Sequence, residues 1–164
     1  MGLAQTLFGD DGQVKTVRLR SIRMTFSREQ VSEGLADYIS STRFTSASQV
    51  YELFSDLRHE TKEHFIAVHL DGKNRIVCFD RVSVGSLNQS IVHPREVFKS
   101  VLLSSAAALI LVHNHPTGDP TPSAEDMAIT KRLCEAGDLL GIRVLDHVIV
   151  GDGQYLSFAE RGLL

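Results

Sequence analysis

The chain reads as a mixed α/β domain with one central sheet flanked by helices, and three observations carry that expectation. Short, nearly continuous apolar runs such as "AALILVH" (107–113) alternate with longer segments whose apolar residues recur at helical spacing, such as "SAEDMAITKRLCEAGDLLG" (123–141). An apolar run of that length suits a strand buried on both faces. Two strand-like runs also flank "DGKN" (71–74), which is a hairpin signal. Interleaved strands and helices then share one sheet.

Each element follows from its local pattern. "GDDG" (9–12) is a turn, and "QVKTVRLRSIRMTF" (13–26) partly alternates apolar and basic residues like a half-exposed strand. "SREQVSEGLADYIS" (27–40) opens on a capping box, Ser27 with Gln30, and is predicted helical. "SASQVYELFSDL" (46–57) predicts a short amphipathic helix. "EHFIAVHL" (63–70) and "RIVCFDRVSV" (75–84) are the hairpin strands. "HPREVFKSVLLSS" (93–105) predicts a helix with Pro94 in its first turn, where the missing N–H costs least. After the buried strand 107–113, residues 123–141 form a helix closed by Gly141. "RVLDHVIVG" (143–151) is a further strand, and "DGQYLSF" (152–158) a turn and a last strand.

Composition narrows the class. With 164 residues, 43% hydrophobic and 23% charged, the chain is an ordinary globular domain with a short extension. A net charge of −3 names no polyanion or anionic membrane as partner. The longest apolar run, "VLLSSAAALILV" (101–112), falls short of the about 20 residues a membrane span needs. Residues 1–12 show no secretory pattern. Cys78 and Cys134 lie far apart in apolar surroundings, which suits a reducing compartment and two buried, inert thiols. A soluble cytoplasmic protein with no membrane partner is the expectation.

The chemistry concentrates in "HNHPTGDPTPSAED" (113–126). His113 and His115 are two apart at a strand end, so their imidazoles face one side. Pro116 ends the strand. Ser123 and Asp126 share a face at a helix start, where a carboxylate is well placed. Two imidazoles and one carboxylate with an open fourth position are the signature of catalytic zinc. The plainer alternative is that His115 flanks a turn and Ser123 with Asp126 forms an ordinary capping box.

His113, His115, Ser123 and Asp126, at the spacing His-x-His-x7-Ser-x2-Asp, match without a gap the JAMM motif of the MPN/JAB domain metallohydrolases. Together with "LDHVIVGDG" (145–153) and "SLNQSIVHPREVFKSVLLSSAAALILVHNHP" (86–116), the stretch resembles the RadC branch of that family over residues 45–164, leaving 1–44 as an N-terminal extension. The resemblance implies the MPN/JAB, cytidine deaminase-like fold, with Zn2+ held by His113, His115 and Asp126. It also implies a water activated by an upstream glutamate, by position Glu63, with Glu60 the runner-up. Ser123 would help zinc stabilise an oxyanion, and the reaction would be hydrolysis of an amide or isopeptide bond in an unknown protein or peptide.

Two departures stand out. Asn114 lies where the ubiquitin-deconjugating members usually carry a small hydroxyl residue, which argues against a ubiquitin-type substrate. Residues 1–44 show no helix–hairpin–helix region of the longer RadC proteins; short RadC-like chains resemble those of prophages and plasmids.

Other histidines give less. "HETKEH" (59–64) fails the HExxH spacing because Glu63 stands where the second histidine belongs. Asp146 and His147 are adjacent on a strand and point to opposite faces; both read as structural residues, with one of them lining the site as the alternative. His59, His64, His69 and His93 lack partners at ligand spacing and read as surface or edge residues.

Besides the hydrolase, two other classes draw on features of the sequence. A DNA-repair or mobile-element DNA-binding factor would use Lys15, Arg18, Arg20, Arg23 and Arg28 on phosphates, with Arg18 and Arg20 central. The bland alternative is an edge strand protected by charge. An interaction module with a dead site would lack a ligand, and none is missing.

Overall fold

A computed structural model describes residues 26, 38–39, 41–85 and 92–164. The strand expected at 13–26 and the helix at 27–40 lie outside these residues, apart from Phe26 and the helical Tyr38 and Ile39, and so do Arg18 and Arg20. Five strands are present among the described residues: β1 (Glu63–Leu70), β2 (Ile76–Gly85), β3 (Ala108–Asn114), β4 (Arg143–Val150) and β5 (Tyr155–Ser157). They form one mixed sheet in the order β2-β1-β3-β4-β5. The α-helices lying wholly within the described residues are α1 (Ala47–Phe54), α2 (Pro94–Leu103), α3 (Ala124–Leu140) and α4 (Phe158–Arg161).

The hairpin between β1 and β2 is closed by Asp71. Its carboxylate accepts from the backbone N–H groups of Lys73 (2.8 Å) and Arg75 (3.0 Å) and pairs with the Arg75 guanidinium. β1 also runs antiparallel to β3, with Phe65 opposite His113. β3 and β4 are parallel, and α3 is the crossover between them. That connection needs a dozen or more residues, and a helix supplies them.

Every residue of β3 is buried, as its unbroken apolar run predicts. On one face Phe65, Ala67, Leu109 and Leu111 pack against Val97 and Phe98 of α2 and Ile129 and Leu133 of α3. On the other face Ile66, Val68, Ile110, Val112 and Val148 pack with Val50 of α1. Each of the larger side chains among these contributes about 1.5–3 kcal/mol of transfer free energy, so β3 is fixed from both sides.

The ends of α3 follow the caps read from the chain. α3 starts at a full capping box, Ser123 with Asp126, and ends at Gly141 in the left-handed region, φ 69°. His93 caps α2 with its own ring, accepting from the Arg95 N–H ahead of Pro94. α1 is shorter than expected and passes into a 3-10 turn over Ser55–His59.

Three readings need correction. The turn and last strand expected over 152–158 end at Ser157, which caps a terminal helix, α4, that residue pattern did not suggest. His69 is not a surface or edge residue; it is 1% exposed, with Nδ1 2.8 Å from Ser104 Oγ and 3.3 Å from Cys78 Sγ. Cys78 and Cys134 are half-buried rather than buried, and desolvation raises both thiol pKa values. No helix among the described residues is long and apolar enough to cross a membrane.

Candidate metal centre

The site forms where β3 leaves the sheet. Alternation along β3 puts His113 on the α2–α3 face beside Leu111, and the backbone N–H of His115 extends the β4 ladder by donating to the Val150 carbonyl at 3.0 Å. The chain then folds back through a turn in which the Gly118 N–H donates to the His115 carbonyl at 2.9 Å. Gly118 has φ +82°, a conformation glycine adopts without strain. The loop is pressed onto the 151–154 turn. The Asp152 N–H donates to the Gly118 carbonyl, and a Cβ at Gly151 would lie 2.5 Å from that oxygen. Asp119 stiffens the loop by accepting from the Thr121 N–H and O–H.

This path returns the first turn of α3 to the histidines. His113 Nε2 lies 3.0 Å from His115 Nε2 and 3.2 Å from Asp126 Oδ1, and His115 Nε2 lies 3.3 Å from Asp126 Oδ2. All three ligand atoms fall within 4.8 Å of one another. His113 is fully buried and Asp126 2% exposed, while the His115 side chain keeps 13% of its surface. The centre therefore has a closed inner side and a more open outer one.

The donor chemistry fits a metal. His115 Nδ1 lies 2.7 Å from the Asp119 carbonyl oxygen, which can only accept, so Nδ1 carries hydrogen and Nε2 of the neutral ring offers a lone pair to the centre. The Ser123 N–H and O–H both donate to Asp126 Oδ2 at 2.7 Å, which holds the carboxylate and leaves Oδ1 without those bonds. Ser123 is thus both a cap and a support for Asp126.

Charge supports the same arrangement. Burial opposes ionisation of Asp126, but its contacts with His113, His115 and Ser123 outweigh it and hold the carboxyl well below the usual range. The neighbouring Asp126 raises His115, and the Glu63 charge adds in the same direction. Burial lowers His113, with Asp126 and then Glu63 opposing. Glu63 begins β1 and also borders an open cleft of about 460 Å³ together with Thr61, Lys62, Gly85 and Pro116. Glu60 instead lies before the strand, 3.5 Å from His64 Nε2.

Three further residues shape the centre. Asn114 is completely buried and bonds to the backbone on either side of Glu63. His147 Nε2 lies 2.7 Å from His113 Nδ1, and Thr130 lies behind His147. Burial, then the charge of His113, pushes the His147 pKa well below its ordinary value. Asp146 takes no part: it accepts from Ser157 Oγ at 2.6 Å and the Ala159 N–H at 2.9 Å, tying β4 to α4.

A buried mixed sheet that sets a His-x-His strand end against the Ser-x-x-Asp start of a crossover helix defines a JAB-type domain. The chain belongs to the RadC-like JAB domain family, whose profile matches residues 44–163. A UPF0758 protein of Geotalea uraniireducens is 62% identical over 132 residues, covering 80% of this chain and 58% of that protein. One from Pelobacter propionicus is 66% identical over 123 residues, 74% of this chain and 54% of that protein. A UPF0758 protein of Methanosarcina mazei is 53% identical over 123 residues, with the same two shares of 74% and 54%. The chain thus spans little more than half the length of the curated relatives it matches.

Proposed function

We propose that this chain is a zinc-dependent metallohydrolase, working in the bacterial cytoplasm, that cleaves an amide or isopeptide bond in a peptide or protein. The observation that carries the reading is the convergence of His113 Nε2, His115 Nε2 and the Asp126 carboxylate within 4.8 Å of one another. Two imidazoles and one carboxylate leave a fourth position for water or substrate, as catalytic zinc requires. Bound there, zinc would supply Lewis acidity, polarising a carbonyl and lowering the pKa of water towards about 7.

The chain's own residues divide the remaining work. Glu63 takes a proton from the attacking water onto its carboxylate. It returns that proton to the amine nitrogen as the C–N bond breaks. Ser123 keeps its backbone N–H on Asp126, while its hydroxyl rotor turns a proton towards the developing oxyanion. The open cleft beside Glu63 and Pro116 is where the substrate chain enters.

A screen of peptide and isopeptide substrates with the zinc-loaded chain and its Glu63→Gln variant tests this. The intact chain turns over at least one substrate, and the variant keeps its zinc while losing about 10²–10⁴-fold in rate. Normal turnover by Glu63→Gln removes Glu63 from the proton-transfer role and points to Glu60.

A further inference from the structure

A run of hydrogen bonds leads inward from the metal centre, and its direction is forced. Thr130 Oγ1 lies 2.6 Å from the backbone carbonyl oxygen of Asp126. Two oxygens that close share a proton, and a carbonyl has none, so the Thr130 hydroxyl donates. With its one proton committed, Thr130 Oγ1 can only accept from His147 Nδ1, 2.5 Å away. His147 Nδ1 therefore carries the ring hydrogen. The neutral ring is left with Nε2 as an acceptor, 2.7 Å from His113 Nδ1. His113 donates from Nδ1, and its Nε2 lone pair faces His115 and Asp126.

The surroundings keep this order intact. His147 is fully buried, stacked on Phe158 with ring centroids 4.8 Å apart and edge-on to Phe65 at 5.5 Å. The chain of bonds starts on the backbone of Asp126 and ends on the ring of His113, so it joins two of the three ligand residues across the gap between α3 and β3.

We propose that Thr130 and His147 are positioning residues that lock His113 in the Nδ1–H tautomer a metal requires. The inference rests on reading His113, His115 and Asp126 as a zinc site. Thr130→Val conserves shape but removes the hydroxyl; His147 can then place its hydrogen on Nε2, His113 can take its own hydrogen on the metal-facing nitrogen, and the site is blocked. Thr130→Ser keeps the hydroxyl.

Two measurements test this without any substrate. Zinc dissociation constants come from competition with a chelator, in variants whose circular dichroism matches the parent. Tautomers come from imidazole nitrogen-15 shifts of the metal-free chain. Thr130→Val weakens zinc binding by about 10–100-fold, while Thr130→Ser binds close to the parent. The parent's His113 reads as Nδ1–H, and Thr130→Val reads as a mixture. A parent in the Nε2–H form, a Thr130→Val chain that binds as the parent does, or a Thr130→Ser chain as weak as Thr130→Val overturns the proposal. A parent that binds no zinc overturns the metal reading and the relay together, a result distinct from equal binding in all three chains.

Discussion

Asn114 Oδ1 accepts from the His64 backbone N–H at 2.8 Å, and the same side chain donates from Nδ2 to the Lys62 carbonyl at 3.0 Å. One amide thus stands in for a peptide group of β3 and carries the β1–β3 pairing past Phe65–His113, the last backbone pair. The residue held between its two bonds is Glu63. The spacer of the His-x-His motif is therefore what fixes the glutamate beside the metal centre.

Replacing Asn114 by Ala should leave the His113, His115 and Asp126 cluster in place but release the start of β1. The His64 N–H and Lys62 carbonyl lose their partners, at a cost of about 1–3 kcal/mol. Urea unfolding gives the loss, and amide hydrogen exchange at His64 should accelerate more than at Ile66, whose strand pairing to Val112 remains. Unchanged protection at His64 would show that the clamp contributes nothing.

Gly151→Ala should loosen the loop that aims His115. The added Cβ would meet Gly118 O at 2.5 Å and Pro120 Cδ at 2.8 Å, so the 116–122 loop must shift. Overpacking of this kind costs about 1–3 kcal/mol. Because the Asp119 carbonyl that orients His115 moves with the loop, zinc affinity should fall as well. A variant with parental stability and affinity would mean the loop yields freely.

The pH dependence of stability should carry a contribution from His69. Desolvation lowers its pKa below the unfolded value of 6.5, against a smaller raising effect of Asp80. Between the folded and unfolded values the unfolded chain binds more protons, so this contribution is full above 6.5 and shrinks as pH falls below it. In metal-free protein His113 and His147 act in the same direction, and they are common to parent and variant. Unfolding free energy should therefore drop less steeply from about pH 7 to about pH 5 in His69→Gln than in the parent. Parallel curves would show that His69 is not held neutral.

What the sequence discloses here is mostly local. β3, α3 and the Ser123 cap were readable because an unbroken apolar run, a helical period and a capping box are each contained in one segment. The convergence of His113, His115 and Asp126 was readable because strand end, loop and helix start are contiguous. α4 was not, since four residues carry no period and its hold on the sheet is the contact of Asp146 with Ser157 and Ala159. The bonds of Asn114 to β1 and of His147 to His113 join residues far apart in the chain, and only the β1–β3–β4 register brings them together. Asp146 and His147 both read as structural from the sequence; parallel pairing of β4 with β3 leaves Asp146 so and brings His147 against His113. His69 shows the reverse failure, because a lone histidine in a strand gives no sign that Ser100, Ser104 and Cys78 will enclose it.

The most direct test of the account is the zinc content of the purified chain after loading and removal of excess metal, measured beside the His113→Ala, His115→Ala double variant. The parent should hold about one zinc per chain and the double variant none. A parent without zinc, or a double variant that keeps the full complement, would contradict the assignment of His113, His115 and Asp126 as the metal centre.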